Sequence, residues 1–158
     1  MTLDQADFEH LLQLRTGLRR FLRWSEQQSK EAGLTPAKHQ LLLAIRGHGD
    51  PAGPTIGEIA DYLVLRHHSA VGLIDRAARD GLVKRSPHER SRSAVRVTLT
   101  PVGIAKLDAL AETHLQELAH LAPTMRALWR TIERTDGDRP SARVRATSPI
   151  LSASSATP

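Results

Sequence analysis

The sequence predicts a mainly α-helical fold with one small β-hairpin, on the basis of three observations. Apolar residues recur every three or four positions along several long segments, which is typical of amphipathic helices. Between residues 82 and 99 the apolar period shortens to two, which is typical of strands. Two short helices within residues 55–80 are joined by about three residues, the arrangement of a helix-turn-helix. The length of 158 residues suits a single domain with its own core.

The first two predicted helices have clear start and stop signals. The first helix covers about residues 4–32, and Gly33 can close it in the left-handed conformation favoured at helix C-termini. Thr35 and Pro36 start the second helix with a capping hydroxyl and a proline at the first helical position. This second helix is expected to lie largely in the core because of Leu41, Leu42, Leu43 and Ile45. A linker rich in Gly, Pro and Asp follows at residues 47–54.

The predicted helix-turn-helix begins with a capping box. The Thr55 hydroxyl and the Glu58 carboxylate stand three residues apart, so each can satisfy a backbone donor of the other. The third helix then presents an apolar face made of Ile59, Ala60 and Leu63. After a turn at residues 64–66, the fourth helix covers about residues 67–80 and ends at Gly81. Its buried side is expected to consist of Val71, Ile74 and Ala78.

The remaining segments are a hairpin, a long helical region and a tail. Strand-like residues 82–85 and 95–99 enclose a polar, basic tip at residues 86–93. Thr100 and Pro101 open a helix that continues to about residue 121. Pro123 is expected to break this helix or to start a last one that ends near residue 134. Residues 135–158 lack apolar periodicity and are predicted to be a disordered tail.

The whole net charge of the chain can be assigned to one segment, residues 66–96. This segment holds eight basic and three acidic residues, an excess that equals the formal net charge of +5 of the entire chain. A basic surface of this kind attracts polyanions and releases the counterions condensed on them. The alternative is a solvated face without a partner, and charge alone does not decide between the two.

Composition excludes several classes of function. The chain has no cysteine, which excludes disulfides, thiolate metal sites and thiol redox switches within it. No signal peptide or bilayer-spanning apolar run is found, so we expect a soluble cytoplasmic protein with no membrane partner. The sequence also lacks a phosphate-binding Gly loop, a nucleophile elbow and a His-Glu metalloprotease motif, which argues against an enzyme and predicts no cofactor.

Five sequence motifs follow one another in a fixed order along the chain. They are Leu34-Thr35-Pro36, Thr55-Ile56-Gly57-Glu58-Ile59-Ala60, Val71-Gly72-Leu73-Ile74-Asp75-Arg76, Gly81-Leu82-Val83 and Leu99-Thr100-Pro101-Val102-Gly103. This ordered set closely resembles the MarR family of bacterial transcriptional regulators, over about residues 34–110 and more weakly on both flanks. The resemblance implies one domain over residues 1–134, with a winged helix-turn-helix at 34–100 between dimerisation helices at 1–33 and 101–134. It also implies a homodimer that binds a near-palindromic operator on double-stranded DNA, usually as a repressor, and is often released by a small-molecule effector.

The exposed face of the fourth helix and the hairpin are the predicted DNA contacts. A major groove about 12 Å wide admits a helix, whose outward polar side chains can reach base edges. Gly72 costs the helix up to about 1 kcal/mol relative to alanine, which we interpret as room for DNA, the alternative being a tolerated surface glycine. The predicted DNA-binding residues are Arg66, His67, His68, Ser69, Gly72, Arg76, Arg79, Lys84, Arg85, Arg90 and Arg92.

The hairpin tip is predicted to enter the neighbouring minor groove. Either Arg90 or Arg92 can do so, and Arg92 best matches the wing arginine of the family. Phosphate contacts are expected from Lys84, Arg85 and Arg96. The turn departs from the family pattern, with Val64 where glycine is frequent and Arg66 where an acidic cap is frequent. These departures leave open an alternative function, a winged helix that binds proteins or nucleic acid without operator specificity.

Large apolar residues in the terminal helices predict the dimer interface. They lie outside the helix-turn-helix, where a monomer has little to cover them, although packing within one subunit is the alternative. The predicted dimerisation residues are Phe8, Phe21, Trp24, Leu128, Trp129 and Ile132.

The effector and its binding residues are unknown from the sequence. A cleft between the dimerisation helices and the winged domain is the expected place. Its candidate lining residues are Arg15, Arg19, Trp24, His39 and His114. Zinc binding by the dispersed histidines His10, His39, His114 and His120 is an alternative. We predict no metal site, because the spacing of these histidines shows no chelating pair.

Overall fold

The computed structural model describes residues 4–88 and 91–137. These residues form a mainly helical structure with one small antiparallel sheet, which confirms the predicted fold class. The elements in chain order are α1 (Gln5–Glu31), α2 (Pro36–Arg46), α3 (Ile56–Tyr62), α4 (His67–Arg79), β1 (Val83–His88), β2 (Ser91–Leu99) and α5 (Pro101–Gly137).

One hydrophobic core lies in the central unit, which we define as residues 34–110. The fifteen buried apolar residues of the core all fall within this range. Five elements around the core each contribute at least one side chain that is at most 2% exposed: Leu41 of α2, Ile59 of α3, Ile74 of α4, Val97 of β2 and Leu107 of α5. Full burial of such a side chain stabilises the fold by about 1.5–3 kcal/mol. The core therefore fixes the position of α4 relative to the hairpin.

The predicted helix ends are confirmed. The Thr35 hydroxyl accepts a hydrogen bond from the Lys38 backbone N–H, with Pro36 at the first helical position. In the capping box of α3, the Glu58 N–H donates to the Thr55 hydroxyl at 3.3 Å, and the Thr55 N–H donates to the Glu58 carboxylate at 2.7 Å. Gly33 adopts a φ of +71° at the end of α1. Local sequence alone therefore sets where these helices begin and end.

The faces of two helices differ from the prediction. Leu43 is 54% exposed and does not belong to the core of α2. On α4 the fully buried residues are Ala70, Leu73, Ile74 and Ala77. Of the three residues predicted to be buried there, only Ile74 is, while Val71 and Ala78 are partly exposed. The reason is that α4 packs against α2, α3 and β1 together, and this packing selects a face that periodicity alone leaves open.

The C-terminal region is one continuous helix, contrary to the expected break at Pro123. Helix α5 has 37 residues, with Pro123 in its interior. A proline removes one backbone hydrogen bond and crowds the carbonyl four residues earlier, a local cost that a long helix can absorb. The helix continues to Gly137, past the predicted start of the tail at residue 135. Residues 138–158 lie outside the described residues, so the prediction of disorder stays a prediction.

Outside the central unit, α1 packs against α5 and leaves apolar side chains exposed. On α1 these recur at helical spacing and share one stripe of the helix. They are Phe8, Leu11, Leu12, Leu18 and Leu22, each at least 47% exposed. On the later part of α5 the exposed apolar residues are Leu115, Leu118 and Trp129. Among the described residues, no helix combines the length and apolar character needed to cross a bilayer.

Candidate nucleic-acid interface

A strained turn joins α3 to α4. Val64 adopts a φ of +52°, and its side chain is 91% exposed. The Leu65 N–H donates to the Ala60 carbonyl at 2.8 Å, which closes the end of α3. The left-handed conformation costs a residue with a Cβ roughly 1–2 kcal/mol, and glycine avoids this cost. The turn therefore keeps the backbone conformation in which glycine is favoured, although valine occupies the position.

The first turn of α4 faces outward. Arg66 is the N-cap residue, and no side chain caps the backbone donors that follow it. His67 and His68 are exposed and Ser69 is partly exposed, as the prediction of a DNA-reading helix end requires. Uncapped N–H groups at a helix N-terminus, together with the helix dipole, favour a nearby anion such as a phosphate group.

Further along α4, two arginines are exposed without a partner. Arg76 and Arg79 make no side-chain hydrogen bond or ion pair within the described part of the chain. The Arg76 guanidinium lies back along the helix, so that a Cβ placed on Gly72 would be 3.4 Å from its Nη1 atom. A Cβ at this position would thus make ordinary van der Waals contact with the flexible end of Arg76, and this contact does not by itself require glycine at Gly72.

Arg85 is held against α4. Its Nη2 atom lies 2.7 Å from an Asp75 carboxylate oxygen and 3.4 Å from the Val71 carbonyl oxygen. The ion pair joins β1 to α4 and so fixes the hairpin relative to the helix. Lys84, its neighbour on β1, is exposed and has no side-chain partner among the described residues. Of these two predicted phosphate contacts, Lys84 is therefore the one whose charge is unneutralised.

The Arg96 side chain contacts the linker, whereas the sequence predicted that it would contact phosphate. Its Nη1 atom lies 2.9 Å from the Asp50 carboxylate and also donates to the Gly53 carbonyl. The pKa of Asp50 is lowered by a hydrogen bond from the Ala52 backbone N–H and by the positive charge of Arg96. Only glycine fits at Gly53, because its φ is +82° and a Cβ there would lie 2.1 Å from the Val97 carbonyl oxygen.

These contacts attach the linker to the hairpin. The Val97 N–H donates to the Pro54 carbonyl at 2.9 Å, and Thr55 forms a β-bridge with Arg96. Because Thr55 also caps α3, the hairpin and the helix-turn-helix are fixed to each other at this point. Sequence reasoning missed this connection, because Gly53 and Pro54 stand in a linker whose composition indicates only a turn.

The tip of the hairpin is only partly described. β1 and β2 pair from Val83 opposite Leu99 to His88 opposite Ser91, with an irregularity in the register between Pro87 and His88. Arg90 lies outside the described residues, and for Arg92 only the backbone position in β2 is described. The predicted minor-groove contact, and the choice between these two arginines, therefore stay predictions.

The residues predicted for dimerisation fall into two groups. Phe8 and Trp129 are 53% and 57% exposed. Phe21 and Trp24 instead pack within the subunit, with their ring centroids 5.9 Å apart and Trp24 also 4.9 Å from His114. The side chains of Leu128 and Ile132 lie outside the described part of the structure. Phe8 and Trp129 are therefore the two predicted residues that this subunit leaves uncovered.

The effector candidates are brought together only in part. Trp24, His39 and His114 meet where α1, α2 and α5 join, and their rings pack directly on one another. Arg15 and Arg19 are exposed on α1. Across residues 4–88 and 91–137, no three His, Asp or Glu side chains are positioned to hold a metal ion.

The arrangement of a helix-turn-helix, a two-stranded wing fixed to it and long flanking helices defines a winged helix-turn-helix protein. Residues 32–92 match the model of the MarR family. This match agrees with the resemblance to the MarR family that the sequence motifs indicated.

Similar proteins agree with this assignment. The chain is 33% identical over 84 residues to BadR of Rhodopseudomonas palustris, a transcriptional activatory protein, covering 53% of this chain and 48% of BadR. It spans about half the length of the curated relatives it matches.

Solved structures match over a greater length. Staphylococcus aureus MepR has a TM-score of 0.67 at 16% identity, covering 77% of this chain and 94% of MepR, a likeness of fold alone. Bordetella bronchiseptica BpsR has a TM-score of 0.57 at 26% identity, covering 79% of this chain and 96% of BpsR. That structure addresses the regulation of BpsR DNA binding by 6-hydroxynicotinic acid.

Proposed function

We propose that the protein is a transcriptional regulator that binds a near-palindromic DNA operator as a homodimer. The observation that carries the proposal is the outer face of α4 with its N-cap, which presents Arg66, Arg76 and Arg79 without a side-chain partner among the described residues. A helix in this setting can place such side chains against base edges and phosphates of the major groove. The wing beside it, fixed by the Arg85 ion pair, adds Lys84 to the same surface.

Ion pairs within the subunit determine which basic residues can contribute free charge to this surface. Arg85 is neutralised by Asp75 and Arg96 by Asp50, so neither contributes a free charge to it. Among the arginines of the basic segment whose side chains are described, those that remain unpaired are the three on and before α4. Because one helix presents them, we expect the major-groove helix to supply more of the free charge than the base of the wing.

The proposed homodimer is supported by the exposed apolar residues of α1 and the later part of α5. An isolated subunit leaves Phe8, Leu12 and Trp129 more than half exposed. A second copy can cover them and would present two α4 helices to successive major grooves, with half-sites one helical turn or about 34–36 Å apart.

The proposal is tested by selecting bound sequences from a random duplex pool, followed by gel shifts against scrambled competitor DNA. We expect enrichment of a near-palindrome with half-sites about ten base pairs apart. Binding that shows no preference over scrambled DNA contradicts operator recognition and supports the alternative of a nonspecific or protein-binding winged helix.

The role of α4 is tested with Arg76→Ala. We expect this change to weaken binding to the selected duplex by about 1–3 kcal/mol, roughly five- to 150-fold, and to relax base preference at one position of each half-site. The measurement is fluorescence anisotropy at several salt concentrations. Lys30→Ala, which removes an exposed charge on α1, is the matched control and should leave binding within twofold. Equal affinities for wild type and Arg76→Ala would remove α4 from the interface.

Repression and effector release are finer parts of the proposal. The predicted direction of control is negative, although the related BadR is a transcriptional activatory protein. A promoter–reporter assay with the selected operator decides the direction. Effector control is supported by the BpsR comparison alone. It is tested by measuring whether aromatic carboxylic acids release the protein from the selected duplex.

A further inference from the structure

Two histidines from different parts of the molecule touch where α1, α2 and α5 meet. His39 belongs to α2 of the central unit and is 6% exposed. His114 belongs to the later part of α5, and its ring centroid lies 4.8 Å from that of His39. Trp24 of α1 packs on His114 as well. We call this group, with Ser25 and Ser29 of α1, the histidine junction.

Hydrogen bonds set the protonation of His114. Its Nδ1 atom lies 2.7 Å from the Leu110 carbonyl oxygen, which can only accept, so Nδ1 carries a proton. In the neutral ring Nε2 is then an acceptor, and the Ser25 hydroxyl, 2.7 Å away, donates to it. A second proton on the ring would place two donors opposite each other unless the Ser25 hydroxyl turned away.

The same reasoning identifies the hydrogen-bond donor on His39. The Ser29 hydroxyl donates to the Ser25 carbonyl at 2.8 Å, so its oxygen remains to accept a hydrogen bond. His39 Nδ1, at 2.9 Å, must be the donor to that oxygen. These hydrogen bonds fit two neutral rings, and the two Ser–His pairs connect α1 to α2 and to α5.

We propose that the histidine junction is a proton-sensitive connection between the dimerisation helices and the DNA-binding unit, and that proton uptake there lowers DNA affinity. If both rings were protonated, their positive charges would lie about as far apart as the ring centroids, at a buried His39 and a partly buried His114, and would repel each other. Separation of α2 from α1 and α5 would relieve this charge repulsion. The effect on DNA follows because α2 packs directly on α4. This last step rests on the proposed DNA-binding function.

The charged groups around the junction do not neutralise the positive charge that a bound proton would add. Burial lowers the pKa of His39, and the neighbouring His114 lowers it further. The neighbouring charged groups have other partners or face solvent: Lys38 pairs with Asp80, Lys106 donates to the Ala32 carbonyl, Glu117 lies 3.9 Å from His120, and Glu26 and Lys30 are exposed. Within the described residues, no carboxylate is bonded to either ring of the junction.

The sign of the pH effect follows from the lowered pKa. An unfolded histidine takes up protons as the pH falls through 6.5, before the folded His39 does. The junction is therefore fully stable above this pH and is weakened progressively below it. The predicted DNA-facing surface also holds His67 and His68, which are the same in every junction variant compared below.

The first experiment follows the junction itself, without DNA. In a Trp129→Phe protein, Trp24 is the single indole, and a protonated imidazole beside it quenches its fluorescence. We expect its emission to fall as the pH is lowered from 8 to 5, with a midpoint below 6.5. The transition should vanish when His39→Gln and His114→Gln are added, since glutamine keeps a hydrogen-bonding side chain but does not titrate. Emission that is independent of pH in the Trp129→Phe protein overturns the proposal.

A second variant covers the possibility that the glutamine protein fails to fold, which circular dichroism would reveal. Ser25→Ala removes the donor that favours neutral His114, so the emission midpoint should move to higher pH. An unchanged midpoint in Ser25→Ala contradicts the assigned hydrogen bonds.

The second experiment connects the junction to DNA. Affinity for the selected duplex is measured at pH 8 and 5.5, at fixed ionic strength, for wild type and for His114→Gln. His67 and His68 contribute equally to both proteins, so the difference isolates the junction. We expect acid to weaken wild type at least about fivefold more than His114→Gln, the lower end of typical coupling between sites. Equal pH responses of the two proteins refute the coupling between the junction and DNA. Failure to select any duplex at pH 8 refutes the DNA-binding function instead, and the junction is then tested by the Trp24 fluorescence experiment alone.

Discussion

The central unit and the flanking helices use apolar residues in opposite ways. In the central unit, residues 34–110, side chains such as Leu41 and Ile74 are fully buried by elements of the same chain. In α1 and the later part of α5, large side chains such as Leu12 and Trp129 are more than half exposed. Burial within one subunit therefore accounts for the helix-turn-helix and the wing, while the flanking helices carry large apolar side chains that this subunit does not cover.

The largest effect that tests this comparison is expected in the core. Ile74→Ala should lower the free energy of unfolding by about 2–5 kcal/mol, because it leaves a cavity where α4 packs on the central unit. Urea denaturation measures the change. Leu12→Ala, at a 67% exposed position of α1, is the control and should change the stability by no more than about 0.5 kcal/mol when both variants are measured at a protein concentration low enough to keep the subunits monomeric. Similar losses for the two variants would contradict the contrast between the regions.

The next effect concerns association of the flanking helices. Trp129→Ala should raise the dimer dissociation constant at least tenfold, about 1.4 kcal/mol, because buried aromatic residues dominate interface energies. Analytical ultracentrifugation over a range of concentrations measures it. Val102→Ala is the control on the same helix, since Val102 is similarly exposed but lies at the central-unit end of α5. A wild-type protein that remains monomeric at micromolar concentration would end the dimer proposal.

A smaller effect is expected at the turn of the central unit. Val64→Gly should stabilise the protein by about 0.5–1 kcal/mol, because glycine relieves the left-handed strain but adds freedom to the unfolded chain. Thermal unfolding measures the gain. Leu65→Gly, at the adjacent position without positive φ, should destabilise the protein instead. Destabilisation by Val64→Gly would mean that the Val64 side chain makes a contact that outweighs its backbone strain.

The smallest effect is the acid sensitivity of the linker contact. Because the pKa of Asp50 is lowered in the folded state, its charge stabilises the fold above the unfolded pKa of about 3.9, and this contribution is lost as the pH falls through the folded value. Asp50→Asn should therefore flatten the dependence of melting temperature on pH between about 5 and 3. Asp61→Asn, at another exposed carboxylate of the central unit, should leave that slope unchanged. Parallel pH curves for wild type and Asp50→Asn would show that the Arg96 contact does not depend on charge.

The candidate DNA-binding surface was predictable to the extent that it depends on adjacent residues. The outward position of Arg66, His67, His68, Arg76 and Arg79 agrees with the prediction from the sequence. The ion pairs of Arg85 and Arg96 were not predictable, because their partners Asp75 and Asp50 lie in other parts of the chain. Basic residues in one segment look equivalent in a charge count, whereas the fold neutralises some of them and leaves others free.

By itself, the sequence determined the order of the helices and strands and the points where most helices begin. Residues such as Thr35, Thr55 and Gly33 act on backbone groups within about four positions, so their effect can be predicted from the local sequence. Only the tertiary structure decided which face of α4 is buried, that α5 continues through Pro123, and that His39 meets His114. These outcomes depend on how whole elements pack together, and packing joins residues that are distant in the chain.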